Sequence, residues 1–431
     1  MFVSLRQMSE PWRMKSDMDG QMSGSAHKHR MQTFINRILP QPLKFACKNV
    51  AKSTKIGYNN HQMYINDRFL ENRDREGRGN GMAVTKSSFG TAKDGQALSL
   101  YTLTNRQGMS VKVTDLGATL VAVLIQDKNE NVLDVILGYD TPEAYYEQTS
   151  FFGAVIGRSG NRIEKGRFTI NGKTYQLDIN DNENNLHSGN HGFEKRRWET
   201  LQTGENSVCF GMKDGDMEQG YPGNFEVSVT YTLTDENELF LDYKGSCDQD
   251  TVANMTNHVY FNLAGHGSGS ILDQELMLTA KAYTPVRDHQ AIPTGEIAPV
   301  EGTPMDFTTA KPIGRDIGAD FEQLRFVGGY DHNYVIKQEK GAVEKFAEAY
   351  CPATGICLEA YTDLPGVQFY AGNAITPGQI GKGGAVYQKR QGFCLESQYY
   401  PNSINQKGFA SPLLKAGETY KTTTCYKFSV R

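Results

Sequence analysis

The stretch Phe225–Tyr243, FEVSVTYTLTDENELFLDY, decides the fold of this 431-residue chain. Apolar and polar residues alternate from Phe225 to Leu233, which is the period of a half-buried β-strand. The polar group Asp235–Asn237 is typical of a turn, and the apolar pattern resumes at Leu239. The stretch therefore predicts two antiparallel strands joined by a tight connection.

The same pattern recurs elsewhere in the chain. Phe168–Ile170, Asn171-Gly172 and Tyr175–Ile179 predict a hairpin, because Asn-Gly between two alternating runs favours a type I′ turn. Earlier segments with strand character are Leu98–Leu103, Val111–Val113 and the apolar run Leu120–Ile125. Many short strands without βαβ alternation predict one all-β domain, a large antiparallel β-sandwich.

Helical signals are few. Thr141-Pro142-Glu143 predicts an N-cap with proline at the first helical position, opening a short helix through Tyr146. Sparse helical periodicity also occurs at Thr309–Ile313, Phe321–Leu324 and Val343–Ala347. We therefore expect only a few short helices between the strands.

Residues 1–81 differ from the rest of the chain in charge. They carry 14 Lys and Arg against 7 Asp and Glu, and because the whole chain is at −4, residues 82–431 carry −11. The tract Asn72–Gly81 is charged and glycine-rich without an apolar period, which is the composition of a disordered segment. We predict a basic, disordered N-terminal extension over 1–81 and a folded domain over 82–431. The extension is a flexible tail, a targeting peptide or translated sequence that precedes a start at Met82.

Charge and cysteine usage exclude several classes of function. A net charge of −4 gives no case for nucleic acid binding. There is no apolar run of about 18 residues that would predict a membrane span. The seven cysteines are scattered and form no CxxC pair or His-Cys cluster, so no zinc site is indicated. Single thiols favour a reducing compartment, and we expect a cytoplasmic protein that is a monomer or weak dimer.

The stretch Gly392–Asn402, GFCLESQYYPN, carries a carboxylate in the middle of a predicted strand. Glu396 shares one strand face with Cys394 and Gln398. A half-buried carboxyl holds its proton tightly unless donors surround it, which suits a general base near neutral pH. The alternative is a glutamate on the wet face of an edge strand, where most strand carboxylates lie.

The stretch Asn254–Gly265, NMTNHVYFNLAG, predicts a second strand with one chemically active face. His258, Tyr260 and Asn262 share that face, opposite a row of apolar residues. Such a face suits a binding cleft on a sheet. The alternative is a structural histidine whose hydrogen bonds are satisfied within the fold.

Polar groups also gather in several turns. Gly157–Phe168, GRSGNRIEKGRF, holds Asn161 between Arg158 and Arg162, and these side chains suit sugar hydroxyls or carboxylates. Either arginine would equally serve to brace a loop by pairing with an acidic neighbour. Further candidates are His187 in Asn184–Gly189, Asp331 and His332 in Gly328–Asn333, and Gln368 and Tyr370 in Pro365–Asn373. His187 and His191 are four apart, but the Ser-Gly-Asn between them argues against a helical metal site.

Taken in order, these stretches resemble the aldose 1-epimerase (galactose mutarotase) family over roughly residues 90–431. The resemblance is carried by GYDTPEAYY, FFGAVIGRSGNRIEKGRF, NNLHSGNHGFEKRRWE, YPGNFEVSVTYTL, NHVYFNL, IPTGEIAPVEGTPMDF, GGYDHNY, GVQFYAGN and GFCLESQYYPNS. It implies a galactose mutarotase-like β-sandwich with its catalytic domain at 82–431. It also implies an isomerase that interconverts the α and β anomers of hexoses such as D-galactose and D-glucose, without metal or cofactor.

The resemblance also implies roles for particular residues. It implies Glu396 as general base and His258 as general acid. It further implies that the sugar is held by Asn161, Arg162, His187, Asp331 and Gln368. The family usually has His-Gly-Gly where this chain has His187-Ser188-Gly189, and Asn185 stands where another histidine is common. We expect Ser188 and Asn185 to reshape the sugar pocket and affect substrate preference.

The reaction implied by the resemblance needs one base and one acid. The base removes the proton of the C1 hydroxyl, the acid protonates the ring oxygen, and the open chain rotates before the steps reverse. An ionised Glu396 and a protonated His258 at the start predict a bell-shaped pH profile. The alternatives are a hexose-6-phosphate 1-epimerase, with extra cations at the pocket rim, and a non-catalytic sugar-binding module.

Overall fold

The computed structural model of the chain describes residues 81–431. The predicted extension over residues 1–81 lies outside the described residues except for its last position. The described residues form antiparallel sheets with a few short helices, so the predicted all-β class is confirmed. Within residues 81–431, no helix is long and apolar enough to cross a membrane.

An antiparallel five-stranded sheet begins the domain, with its strands in chain order. They are β1 (Ala83–Thr91), β2 (Ala97–Thr104), β3 (Ser110–Thr114), β4 (Leu120–Gln126) and β5 (Val132–Asp134). The three predicted strands of this region lie within β2, β3 and β4. Leu103, Val111 and Val123 are fully buried and give the sheet an apolar inner face.

A short helix and a hairpin follow the first sheet. Helix α1 (Pro142–Glu147) begins at the predicted proline, although Thr141 makes no side-chain capping hydrogen bond. The next strands are β6 (Val155–Ile156), β7 (Arg162–Ile163), β8 (Arg167–Ile170), β9 (Lys173–Gln176) and β10 (Asn185–Leu186). Strands β8 and β9 pair around Asn171-Gly172, whose φ angles of 50° and 77° are both positive, as a type I′ turn requires. The predicted hairpin is confirmed, with its second strand ending at Gln176.

The remaining strands complete the fold. Up to residue 312 they are β11 (Glu199–Thr203), β12 (Ser207–Asp214), β13 (Phe225–Leu233), β14 (Glu238–Cys247), β15 (Thr251–Val252), β16 (Thr256–Asn257), β17 (Glu275–Leu278), β18 (Ala282–Tyr283), β19 (Ala298–Pro299) and β20 (Lys311–Pro312). Helix α2 (Glu322–Val327) precedes β21 (Asp331–Val335), β22 (Glu344–Tyr350), β23 (Ile356–Thr362), β24 (Gly366–Tyr370), β25 (Gln379–Ile380), β26 (Val386–Tyr387), β27 (Cys394–Gln398), β28 (Leu413–Leu414) and β29 (Thr419–Val430). Single 3₁₀ turns lie at Glu164–Gly166, Phe193–Lys195, Glu218–Gly220, Lys382–Gly384 and Ser403–Asn405.

Two of the three sparse helical predictions are wrong. Helix α2 overlaps the predicted segment 321–324, but 309–313 contains strand β20 and 343–347 runs into strand β22. Strand β22 pairs with β17 on one side and β23 on the other. A short apolar run has no decisive period of its own, so the two neighbouring strands decide its conformation.

A nine-stranded antiparallel sheet forms the largest layer, in the order β11-β12-β13-β14-β29-β23-β22-β17-β20. The predicted meander is confirmed, since β13 and β14 pair up to Leu233 and Leu239 on either side of the turn. Val229 and Phe210 of this sheet share one core with Val111 of the first sheet. The two sheets therefore pack face to face as a β-sandwich.

A second five-stranded sheet, in the order β19-β18-β21-β24-β27, carries the polar candidates. Its register pairs Gln368 of β24 with Glu396 of β27. Phe369 and Leu395, the next pair of this antiparallel ladder, are buried in the main core. Because side chains alternate between faces, Gln368 and Glu396 must lie together on the opposite face.

Candidate active site

A cleft on the outer face of the second five-stranded sheet brings together all seven residues to which the family resemblance gives a role. Its lining includes Glu396, His258, Asn161, Arg162, His187, Asp331 and Gln368. Strands β21, β24 and β27 supply Asp331, Gln368 and Glu396, and the other four residues come from β7 and from the segments that follow β6, β10 and β16. Segments far apart in the sequence therefore meet at one polar cleft.

Glu396 lies in the middle of β27 with its carboxyl group buried in the cleft. Its side chain is 3% exposed, and its Oε2 atom lies 3.6 Å from Nε2 of His258. Oε2 has no hydrogen-bond partner among residues 81–431. Burial, reinforced by the nearby Asp331 carboxyl, raises the pKa of Glu396 well above its usual range, while Arg162 opposes the shift. Burial therefore favours the protonated form of this carboxyl group.

His258 is held in an extended segment after β16 rather than in the continuous strand predicted over 254–265. Its backbone N–H donates to Ala154 and its carbonyl accepts from Gly153, both at 2.9 Å. Its ring stacks on Tyr260, with centroids 5.1 Å apart, and on Phe151, at 5.7 Å. Burial between these rings lowers the pKa of His258 to about 3, although a hydrogen bond to its own backbone opposes the shift.

Strand β27 contacts both nitrogens of the His258 ring. Cys394 Sγ lies 3.5 Å from Nδ1, and Glu396 Oε2 lies 3.6 Å from Nε2. Cys394 and Glu396 are two residues apart, so their side chains share one face of the strand and both contact the same ring. The imidazole is thus fixed with Nε2 towards the carboxyl group.

His187 lies close enough to His258 and Glu396 for the three to resemble a metal site, with potential ligand atoms within 4.8 Å of one another. However, Nδ1 of His187 accepts a hydrogen bond of 3.1 Å from the backbone N–H of Asn161. Burial, together with His258 and Arg162, lowers the pKa of His187 well below its usual range, so the ring is neutral. Its one proton therefore lies on Nε2, where a metal would need a lone pair. An N–H donor suits a sugar oxygen better than a cation.

From the sequence, Arg158 and Arg162 could each bind a sugar or brace a loop, and the structure gives them different surroundings. Arg158 is fully buried and its Nε donates to Asp214 at 2.7 Å, so it braces the loop from within. Arg162 lines the cleft and its Nε donates to Asp181 at 2.7 Å, near the surface. Only Arg162 can therefore reach a molecule in the cleft.

Asp331 and Gln368 contact each other across neighbouring strands. Nε2 of Gln368 donates to Oδ1 of Asp331 at 2.7 Å. Burial raises the pKa of Asp331, while Arg162 and the bond from Gln368 lower it in part. His332, the other candidate in this turn, points to the opposite face and is fully buried in the fold. Asp331 is therefore the residue of this pair that faces the cleft.

Ser188 and Asn185, which we expected to reshape the sugar pocket, do not line the cleft. Ser188 Oγ accepts a hydrogen bond from the N–H of Ser159 at 2.8 Å and donates to its carbonyl at 3.0 Å. Nδ2 of Asn185 donates to the carbonyl of Asp178 at 2.8 Å. Ser188 thus ties the loop of His187 to the loop before Asn161, and its influence on the sugar is indirect.

Replacing Ser188 with alanine is expected to lower the free energy of unfolding by about 2 kcal/mol, because both hydrogen bonds are lost inside the protein. Ser188 has a φ of 70°, which strains any residue with a Cβ. Ser188→Gly loses the same bonds but releases the strain, so it should cost about 1 kcal/mol less than alanine. Urea unfolding of both variants measures the difference, and an alanine variant as stable as the glycine variant would contradict this account.

Phe151 is not among the residues predicted from the sequence, although its ring covers both histidines. The Phe151 centroid lies 4.8 Å from that of His187 and 5.7 Å from that of His258. Phe151 has a φ of 58°, a left-handed conformation that a bulky residue rarely adopts. No local pattern predicts such a backbone, which depends on the packing of the loop after α1.

A buried carboxyl group facing a buried imidazole, in a cleft of hydrogen-bonding side chains, is the site of an acid/base enzyme for a polar small molecule. Comparison with known proteins agrees with this class. The family model described as Aldose 1-epimerase matches residues 99–427. The galactose mutarotase of Rattus norvegicus is 44% identical over 351 residues, covering 81% of this chain and 99% of the relative. The aldose 1-epimerase of Escherichia coli K12 is 38% identical over 339 residues, covering 78% and 97%.

Solved structures agree as well. A GalM/aldose epimerase homologue from C. elegans matches with a TM-score of 0.70 and 28% identity, covering 80% of this chain and 99% of that one. The galactose 1-epimerase from Lactobacillus acidophilus matches with a TM-score of 0.69 and 28% identity, covering 81% and 99%. The chain belongs to the aldose 1-epimerase family, which confirms the resemblance seen in the sequence.

Proposed function

We propose that residues 82–431 form an aldose 1-epimerase domain that interconverts the α and β anomers of unphosphorylated hexoses such as D-galactose and D-glucose. Glu396 is the general base and His258 the general acid. The observation that carries this assignment is the buried, unpartnered Oε2 of Glu396, 3.6 Å from Nε2 of His258. The reaction breaks and reforms one C–O bond with proton transfers and without a change of oxidation state, so it needs no cofactor.

The protonation of the resting pair differs from the sequence-based mechanism, which starts with an ionised Glu396 and a protonated His258. Burial disfavours both charges, so before a sugar binds the proton that the two groups share lies on Glu396. A bound sugar reverses this preference, because its C1 hydroxyl donates to the carboxylate and its ring oxygen accepts from the imidazolium.

Ring opening then follows from this geometry. Glu396 takes the C1 hydroxyl proton, the electrons of that O–H bond form the second bond of the carbonyl, and the bond from C1 to the ring oxygen breaks. The ring oxygen keeps the electrons of that bond and receives the proton from Nε2 of His258. Rotation about C1–C2 presents the other carbonyl face, and on closure His258 takes its proton back from the attacking hydroxyl while Glu396 returns a proton to the C1 oxygen.

The other cleft residues hold the sugar. The Nε2–H of His187 donates to a sugar oxygen close to the reacting centre, and Asp331 accepts from a hydroxyl. Gln368, Asn161 and Arg162 supply further polar contacts in the lining. Arg162 also steadies the negative charge that grows on oxygen as the C1 proton leaves.

The pH dependence of kcat/KM follows from the directions of the pKa shifts. The pair is active while it holds one proton. On the acid side a second proton adds to His258 only at its lowered pKa of about 3, and on the alkaline side the shared proton leaves at the raised pKa of Glu396. Polarimetric kcat/KM, corrected for the buffer rate, should therefore not fall as the pH drops through 6.5, the ordinary histidine value. A loss of activity centred there would contradict the assignment.

The charges of the cleft favour an unphosphorylated sugar over the hexose-6-phosphate alternative. Among the lining residues that the structure describes, Arg162 is the one cation, and it is already paired with Asp181. Glu396 and Asp331 bring two carboxyl groups to the same space. A phosphate dianion would find no unpaired cation among these residues, and the Asp331 carboxylate would repel it. A non-catalytic sugar-binding module, the other alternative, would not need an acid and a base that face each other as His258 and Glu396 do.

Polarimetry on freshly dissolved α-D-galactose and α-D-glucose tests the proposed function. We expect the optical rotation to reach equilibrium much faster than in buffer, with no competition from the corresponding 6-phosphates. Binding of the sugar without acceleration would support the binding module instead. Acceleration restricted to the 6-phosphates would support the phosphorylated alternative.

The proposed partner is a small-molecule aldose, with no nucleic acid or membrane partner. The described cysteines are free thiols, and most of them are buried. Free thiols support our proposal of a cytoplasmic location. We also propose a monomer or weak dimer.

A further inference from the structure

A chain of buried amide hydrogen bonds runs from behind the cleft to its lining. Nε2 of Gln398 donates to Oε1 of Gln368 and to Oδ1 of Asn333, both at 3.1 Å. Nε2 of Gln368 in turn donates to Oδ1 of Asp331 at 2.7 Å. Gln368 and Asp331 line the cleft, whereas Gln398 and Asn333 do not. Every bond between Gln398 and Asp331 therefore points in the same direction, towards the cleft.

The amides of this hydrogen-bonded chain are buried and closely packed. Gln398 is 0% exposed and Gln368 is 3% exposed, so solvent cannot replace a lost bond. The residue paired with Gln398 across the ladder is Gly366. A Cβ at Gly366 would lie 2.4 Å from Oδ1 of Asn333, so only glycine admits the amide chain in its present position.

A glutamine amide can present either its oxygen or its nitrogen, and its neighbours decide which. If Gln368 turned over, its oxygen would face the Asp331 carboxylate, and the contact would become repulsive unless Asp331 carried a proton. In that state Asp331 would offer a donor in place of an acceptor. The donor at Gln398 prevents this reversal, because it requires the oxygen of Gln368 on its own side.

We propose that Gln398 is a positioning residue for sugar binding, which orients the Gln368 amide and thereby keeps Asp331 an acceptor for a sugar hydroxyl. This inference rests on the proposed function, because it assigns Asp331 to the sugar. Gln398 itself does not contact the sugar. Gln398 affects sugar binding only through the Gln368 amide and the Asp331 carboxylate. A change at Gln398 should therefore alter KM and leave kcat nearly unchanged.

A double-variant cycle between Gln398 and Asp331 tests the proposal. Gln398→Met removes the donor that holds the oxygen of Gln368, so the Gln368 amide can turn over and face Asp331 with its oxygen. We expect KM for D-galactose to rise about tenfold, as loss of a buried bond to a charged group implies, with kcat within about threefold of the wild type. In the Asp331→Asn background the same change should not raise KM further, because the new amide can donate to the reversed Gln368.

Controls keep the outcome decisive. Gln202→Met makes the same change on an exposed strand and should leave KM unchanged. If Gln398→Met does not fold, Gln398→Leu also removes the donor, and its effect on KM should likewise vanish in the Asp331→Asn background. An equal rise in KM in both backgrounds, or none in either, would overturn the proposal. A wild type without mutarotase activity would instead overturn the proposed function.

Discussion

Replacing Glu396 with glutamine is expected to lower kcat for mutarotation by about 10²–10⁴-fold, the usual contribution of one positioned acid or base. Glutamine keeps the shape of the side chain but cannot take the C1 hydroxyl proton. Binding of D-galactose should persist, because the other cleft residues are unchanged. Polarimetry gives kcat, and saturation-transfer NMR reports binding. A variant that turns over at the wild-type rate would show that Glu396 is not the base.

The same substitution should also raise the melting temperature at neutral pH. The folded protein holds the Glu396 proton more tightly than the unfolded chain, since burial raises its pKa well above the ordinary 4.5. The free energy of unfolding therefore falls as the pH rises from the pKa that Glu396 has in the unfolded chain through the raised pKa that it has in the folded protein. Glutamine does not titrate, so the variant does not lose stability in this pH range by ionising a buried group. Glu236→Gln, at an exposed position, is the matched control and should leave the melting temperature unchanged.

Replacing Arg158 with methionine is expected to lower the free energy of unfolding by about 3–5 kcal/mol, the usual cost of removing one partner from a buried ion pair. Arg158 is fully buried beside Asp214. It also donates to the carbonyls of Pro222, Gly215 and Gly223 at 2.8, 3.1 and 2.9 Å. Methionine would leave these acceptors without a donor inside the fold. Urea unfolding measures the loss.

Arg106→Met is the matched control for this prediction. Arg106 pairs with Asp235 at 3.0 Å, but its side chain is 64% exposed. An exposed pair contributes about 1 kcal/mol or less, so this variant should stay near the wild type. Equal losses in the two variants would contradict the structural role given to Arg158.

The faces of the site strands could be predicted from the sequence because a strand's period of two is a local property. Cys394, Glu396 and Gln398 share one face of β27, as their spacing predicts. Gln368 and Tyr370 likewise share a face of β24. The partner of each strand was not predictable, because register depends on residues far away in the chain.

The loops around the cleft could not be predicted in this way. The left-handed backbone at Phe151, His187 and Ser188 arises where several loops pack together. The extended segment that holds His258 resembles a strand in the sequence, yet its hydrogen bonds go to different neighbours in turn. The raised pKa of Glu396 depends on burial, which a sequence pattern does not measure.

The central claim is that Glu396 and His258 act as one acid/base pair, and kcat of the double variant Glu396→Gln, His258→Asn tests it most directly. Groups that act as a unit have strongly non-additive effects. We predict that kcat for D-galactose, measured by polarimetry, falls no further in the double variant than in the slower single variant. A loss equal to the product of the two single losses would contradict the claim.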